Sequence, residues 1–152
     1  MCDVVAIDDD EDLLTVLRSF GQCGAHPVDV EGYPPSPSAW AAMERSPEAP
    51  VILDLMMPGH DGIATARAIR QRWPGRILIA YTAAHEGTPI VEEARRSGLF
   101  DTVVQKPSTP DAIRYILRIL AVGGNLGQAA RIAAAVVAQR GVPFWRRVLL
   151  RG

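Results

Sequence analysis

Apolar runs long enough to cross a bilayer are missing from this 152-residue chain, since a span needs ~20 consecutive apolar residues. An apolar leader is missing too. Asp3 and Asp8 to Asp12 interrupt the start, so a cytoplasmic protein is expected. Cysteine is scarce: Cys2 and Cys23 are two isolated thiols. That excludes a disulfide framework and a metal knuckle, and fits free thiols in a reducing compartment. Net charge is almost absent at -1, so the total says nothing of partners. Acidic residues vanish after Asp111, where Arg114, Arg118, Arg131, Arg140, Arg146, Arg147 and Arg151 follow. The front is acidic and the back basic. Internal repeats and low-complexity tracts are lacking as well.

What is present is a hydrophobic share of 48%, which suits one globular domain with a real core and a small appendage. Val4 to Ile7, Val51 to Leu53, Ile77 to Ala80 and Val103-Val104 are short, continuous apolar runs. Continuity rather than alternation marks strands covered on both faces. His26 to Val30 is a weaker candidate for an edge strand. Helical spacing links Leu13, Leu14, Leu17 and Phe20, and again Ile63, Ala66, Ile69 and Trp73, before Pro74-Gly75 stops the second helix. A helix holding Trp40 and Met43 follows the proline-rich loop Tyr33 to Ser38. Thr88 to Ser97 reads as a polar helix, and Ile113, Ile116, Leu117 and Leu120 form the clearest apolar stripe. Strand and helix alternate five times. The expected fold is therefore α/β, a doubly wound five-stranded parallel sheet of flavodoxin-like type, over residues 1–122.

Four features fall at the carboxyl ends of the strands. Asp8 and Asp9 end the first, Asp54 the third, Thr82 the fourth and Lys106 the fifth. In open α/β sheets ligands bind at that rim. Each feature has an ordinary explanation alone: Asp8 to Asp12 suits a helix N-terminus, Asp54 a turn, Thr82 a cap. Together they describe a site. Three carboxylates in one pocket repel each other unless a cation intervenes. Oxygen ligands with room for water select Mg²⁺. Asp54 kept ionised is a nucleophile for phosphorus, Lys106 a point charge and Thr82 a donor for phosphoryl oxygens.

Asp8-Asp9, the segment Asp54-Leu55-Met56-Met57-Pro58-Gly59-His60-Asp61-Gly62, Thr82-Ala83 and Lys106-Pro107 resemble the signature of the receiver domain of two-component response regulators (CheY-like) over about residues 3–121. The resemblance implies that Asp54 accepts a phosphoryl group from a sensor histidine kinase or a histidine phosphotransfer protein. It implies Mg²⁺ held by Asp9, Asp54 and the Met56 carbonyl, and by Asp8 through water. It implies that Thr82 and Lys106 bind the phosphoryl oxygens and carry the signal, with a cis peptide at Lys106-Pro107. The chain departs from the family at Val103, where an aromatic residue is usual. Met56 and Ala84, two residues past Asp54 and Thr82, cannot orient an attacking water, so slow self-dephosphorylation is expected. A haloacid dehalogenase-type phosphatase needs a second Asp where Met56 stands. The chain is expected not to be an enzyme. A phosphorylation-independent interaction module is the rival from another class.

Residues 123–152 lie outside the strand and helix rhythm and read as a C-terminal helical extension. Gly123-Gly124-Asn125 and Ala129-Ala130-Arg131 are weakly similar to the start of a Fis-type helix-turn-helix, but no recognition helix follows. The basic, apolar tail suits DNA phosphates, an acidic membrane surface or a second copy of the chain. Its almost uncharged, Ala-rich helix favours the second copy, hence a homodimer, with a DNA-binding transcriptional regulator as the alternative.

Overall fold

The computed structural model describes residues 1–106 and 110–121. The Lys106-Pro107 peptide and the whole of 123–152 lie outside the described residues. In chain order the elements are β1 (Val4–Ile7), α1 (Glu11–Gly21), β2 (Val30–Tyr33), α2 (Pro37–Arg45), β3 (Val51–Leu53), β4 (Met56–Met57), β5 (His60–Asp61), α3 (Gly62–Arg72), β6 (Leu78–Thr82), α4 (Pro89–Arg96), β7 (Thr102–Gln105) and α5 (Pro110–Ala121).

Five strands form one parallel sheet in the order β2-β1-β3-β6-β7. The register sets Ile7 beside Leu53 and Leu53 beside Ala80, and Thr82 beside Gln105. The chain winds outward from β1 to β2, then crosses back to β3 and continues the other way. The reversal between β1 and β3 is the switch point at which such sheets open a crevice.

Side chains alternate across each strand. Val4 and Ala6 join a core with Leu14, Leu17, Ile52, Ile79, Tyr81, Val104, Ile113 and Leu117. Val5 and Ile7 face the other way, among Ala42, Met43, Val51, Leu53, Ala66, Ile69 and Leu78. Helices α1 and α5 thus cover one face and α2 and α3 the other. Every residue of β1 and β3 is buried, which is why these strands read as unbroken apolar runs. Burying each such Val, Leu or Ile contributes ~1.5–3 kcal/mol. A third cluster places Leu55, Ile63, Ala80 and Ala94 beside Ile90 and Val103, which seats α4.

Local chemistry starts the helices where it should. Asp10 caps α1 by accepting from Asp12 N and Leu13 N, both at 3.1 Å. Asp61 caps α3 through Ile63 N at 2.9 Å and Ala64 N at 3.2 Å. The strand expected at His26 to Val30 instead runs from Val30 to Tyr33. Pro27 has no N–H to give a ladder, and Val28 N is spent on Gly21 O at 2.8 Å. Pairing with β1 therefore begins only beyond Asp29, whose N–H donates to Asp3 Oδ2 at 2.8 Å.

Candidate functional site

Each site residue is carried by the strand end the sequence pointed to. Asp8 follows β1 and Asp54 follows β3, and both are buried; Asp9 is exposed. One carboxylate oxygen from each of Asp8, Asp9 and Asp54 lies within 4.8 Å of the others. Thr82 closes β6 and is buried. Lys106 follows β7, and its Nζ lies 2.5 Å from Asp8 Oδ2 and 3.4 Å from Asp54 Oδ2. The five predicted side chains thus gather at one rim.

The backbone holds them there. Asp54 N donates to Ile7 O at 3.0 Å, and Asp8 N to Tyr33 O at 3.1 Å. Asp8 Oδ1 accepts from Asp10 N at 2.9 Å. Asp54 Oδ1 accepts from Met56 N at 3.2 Å. Met56 turns its side chain outward, 56% exposed. The chain then doubles back through the short hairpin of β4 and β5, an element not foreseen in the sequence, across Pro58-Gly59. Gly59 has φ +73°, the left-handed conformation a turn with proline before glycine requires. The hairpin delivers Gly62 against the site: a Cβ there would meet Asp54 O at 2.6 Å and Leu55 Cα at 2.7 Å. Only glycine permits that approach.

Electrostatics make the pocket demand positive charge. Burial pushes the Asp54 carboxyl above the usual carboxylate range, and the nearby Asp8 adds to this. The Lys106 ammonium and the Met56 N–H pull the other way without cancelling the shift. Lys106 is thus an internal counter-ion. Its ammonium also lies 5.3 Å from the centre of the Tyr81 ring, within cation–π range. An all-oxygen donor set with two buried carboxylates and one exposed matches a hard divalent cation that keeps several waters. The residues fit Mg²⁺.

Thr82 and Lys106 are joined through the main chain, since Lys106 N donates to Thr82 O at 2.7 Å. Thr82 Oγ1 accepts from Ala84 N at 3.1 Å. Val103 is half-buried beside Ala80 in the cluster of Leu55, Ile63 and Ala94. Sequence reasoning missed two neighbours, Tyr81 under the ammonium and Gln105 bonded to the loop after Thr82. Lys106 is the chain's only lysine, a signal that would have singled it out without any spacing argument.

The model of the response regulator receiver domain matches residues 4–118. The chain belongs to the response regulator receiver family. It is a receiver of the kind used in two-component systems, and every residue of the rim lies within the matched span. Among curated proteins it is 26% identical over 110 residues to the transcriptional regulatory protein RstA of Escherichia coli (strain K12), covering 72% of this chain and 44% of that protein. It is 33% identical over 107 residues to protein-glutamate methylesterase/protein-glutamine glutaminase 3 of Rhodopseudomonas palustris (strain BisB18), covering 68% and 28% respectively. The receiver therefore spans less than half the length of these relatives. Among solved structures it resembles the signal receiver domain of a LuxO repressor protein from Vibrio parahaemolyticus, with TM-score 0.66 and 20% identity over 84% of this chain and 95% of that one. NtrX from Brucella abortus gives TM-score 0.67 at 20% identity, over 84% of this chain and 28% of that one. These structures share the five-stranded flavodoxin-like fold. Among the described residues no helix is long and apolar enough to cross a membrane.

Proposed function

We propose that this receiver accepts a phosphoryl group on Asp54 from the phosphohistidine of a sensor histidine kinase or phosphotransfer protein. An Asp54 carboxylate oxygen attacks phosphorus, the N–P bond breaks, and an acyl phosphate forms while the imidazole leaves with the electron pair. The observation that supports this best is the buried Asp54 carboxylate between two further carboxylates and the Lys106 ammonium. Asp9, Asp54 and the Met56 carbonyl would hold Mg²⁺, with Asp8 reaching it through water. Bound there, the ion supplies the charge that keeps Asp54 ionised and offers coordination to a phosphoryl oxygen. Lys106 then exchanges its place beside Asp8 for a phosphoryl oxygen, and the Thr82 hydroxyl donates to another. With Met56 pointing to solvent and Ala84 bearing only a methyl, no side chain at either place aligns a hydrolytic water. The acyl phosphate is accordingly long-lived, on the scale of minutes or longer rather than seconds.

The chain then acts by binding partners in its phosphorylated form rather than by catalysing a reaction of its own, in the cytoplasm. Residues 123–152 are the segment through which it would dimerise. Loss of a dimer on truncation after Gly123 would support that arm, whereas salt-sensitive binding to duplex DNA would favour the degenerate Fis-like reading. Intact mass after incubation with Mg²⁺ and acetyl phosphate tests the chemistry. One added phosphoryl group in the native chain and none in Asp54→Asn is the expected result. Absence of any adduct would leave a phosphorylation-independent interaction module.

A further inference from the structure

The last residue of β7, Gln105, is half-buried and points at the loop that follows Thr82. Its amide nitrogen donates to Ala84 O at 3.2 Å and stands 3.1 Å from His85 Nδ1. The Ala84 carbonyl can only accept, so the nitrogen of the amide and not its oxygen must face it. The same nitrogen faces His85 Nδ1, which accepts from it when the ring carries its proton on Nε2. Ala84 in turn donates its own N–H to Thr82 Oγ1 at 3.1 Å. Lys106, the next residue after Gln105, donates its N–H to Thr82 O at 2.7 Å. Three hydrogen bonds thus close a ring through Thr82, Ala84, Gln105 and Lys106.

The ring has a chemical consequence. A hydroxyl oxygen that accepts from a fixed N–H has one lone pair engaged, and its own proton is left to donate elsewhere. The Ala84 peptide therefore aims the Thr82 hydroxyl as a donor. Ala84 belongs to a largely exposed loop, and the Gln105 amide ties the carbonyl of the same residue, one Cα further on, to β7. The same tie places the loop at a fixed distance from Lys106. The two groups assigned to the phosphoryl oxygens are thereby set as a pair.

We propose that Gln105 is a positioning residue for phosphoryl binding, acting through the Ala84 peptide on the Thr82 hydroxyl. This rests on the reading of Asp54 as the phosphoryl acceptor. The bonds of Gln105 to Ala84 and His85 lie in the loop after Thr82 and not in the carboxylate cluster, so its replacement is expected to leave Mg²⁺ binding alone and to weaken only the phosphoryl-like ligand. A side chain that merely braced the fold would move both or neither.

The test uses the full chain and beryllofluoride as the probe, at saturating Mg²⁺. Native, Gln105→Met, Thr82→Val and the double variant are compared, with Mg²⁺ affinity and the unfolding midpoint measured in parallel and Gln105→Ala as a second truncation. Gln105→Met matches the length of glutamine but cannot donate. The expected result is beryllofluoride affinity lowered about fivefold to tenfold by Gln105→Met, the scale of one lost hydrogen bond. Mg²⁺ affinity stays within about twofold, and the double variant is no weaker than Thr82→Val alone, because Gln105 acts only through the hydroxyl that Thr82→Val removes. Beryllofluoride affinity unchanged in both Gln105 variants would overturn the proposal. So would independent, multiplying effects of the Gln105 and Thr82 changes, or an equal loss of Mg²⁺ affinity. Failure of the native chain to bind beryllofluoride at all would instead bring down the phosphoryl-acceptor reading, and this inference with it.

Discussion

The two sides of the rim are mounted differently. On the acidic side, Asp8 and Asp54 leave strands whose every residue is buried. Their main-chain N–H groups are bonded to neighbouring strands, and each carboxylate takes a further N–H from the turn after it. On the receiving side, Thr82 is buried, but Lys106 hangs from β7, an edge strand in which only Val104 is buried. The difference suits the roles proposed for each side. Carboxylates that repel one another have to be held together before any cation arrives, so their mount must be stiff. Lys106, proposed to leave Asp8 for a phosphoryl oxygen, would have to move when one appears, and a half-exposed edge strand suits that.

The contrast is sharpest in stability. Gly62→Ala drives a methyl into the main chain of Asp54 and Leu55 and is expected to cost ~3 kcal/mol or more, since backbone cannot yield as a side-chain tip can. On the receiving side, Val103→Ala trims a half-buried residue and should cost ~0.5–1.5 kcal/mol. Urea unfolding of the two variants measures both, and similar losses would erase the distinction between stiff and yielding sides.

Next in size is Lys106→Met. Phosphoryl uptake from acetyl phosphate should fall by about a hundredfold, as removal of one preorganised electrostatic contact commonly does. Without its ammonium the acidic side has no internal counter-ion, so Mg²⁺ should raise the unfolding midpoint more in Lys106→Met than in the native chain. An equal rise would show that Lys106 does not neutralise the cluster at rest.

A smaller effect concerns pH. The Asp54 carboxyl is raised in the folded chain, so its protonated form favours folding and its ionised form opposes it. That contribution is present below the ordinary carboxylate range and is lost as pH rises through the raised value. In Mg²⁺-free buffer at pH 7, Asp54→Asn is therefore expected to be more stable than the native chain by about 0.5–1 kcal/mol, after allowing for solvent screening at the open rim. The gain should shrink toward zero near pH 4. Thermal unfolding across that range reads it, and a constant gain would place the cause outside the titration of Asp54.

Smallest is Val103→Tyr. If the signal leaves by another surface, restoring an aromatic side chain at this edge position should not change phosphorylation-dependent assembly on size-exclusion chromatography. A large gain of switching would show that the receiving side is wired through β7 after all.

Much of this was legible from the chain because burial on both faces writes itself as uninterrupted apolar residues. Val4–Ile7 and Val51–Leu53 are observed with the bounds their composition suggests. The residues ending these runs were legible for the same reason, as a polar group directly after a buried strand has nowhere to go but the rim. What escaped depends on distant contacts. The start of β2 is set by the bridge between Asp3 and Asp29, 26 residues apart, and by the close seat of Gly21 on Val28. The bond from Gln105 to Ala84 spans 21 residues, and the contact of Lys106 with Asp8 spans 98. No local pattern encodes such pairs. They exist only once the sheet has brought β7 beside β6 and the switch point beside both.

Lys106 between Asp8 and Asp54 carries one more consequence. The cationic surface of this protein is otherwise arginine, whose guanidinium does not acylate under conditions that modify amines. Apart from the chain's amino terminus, an amine-directed reagent has a single address, and that address is the counter-ion of the site. Its accessibility is a built-in gauge: the nitrogen sits between two carboxylates with its side chain 15% exposed, and whatever displaces it changes how it meets a reagent. A covalent cap on that one nitrogen would erase the positive charge beside Asp8 and Asp54 and, on the proposed chemistry, block phosphoryl uptake.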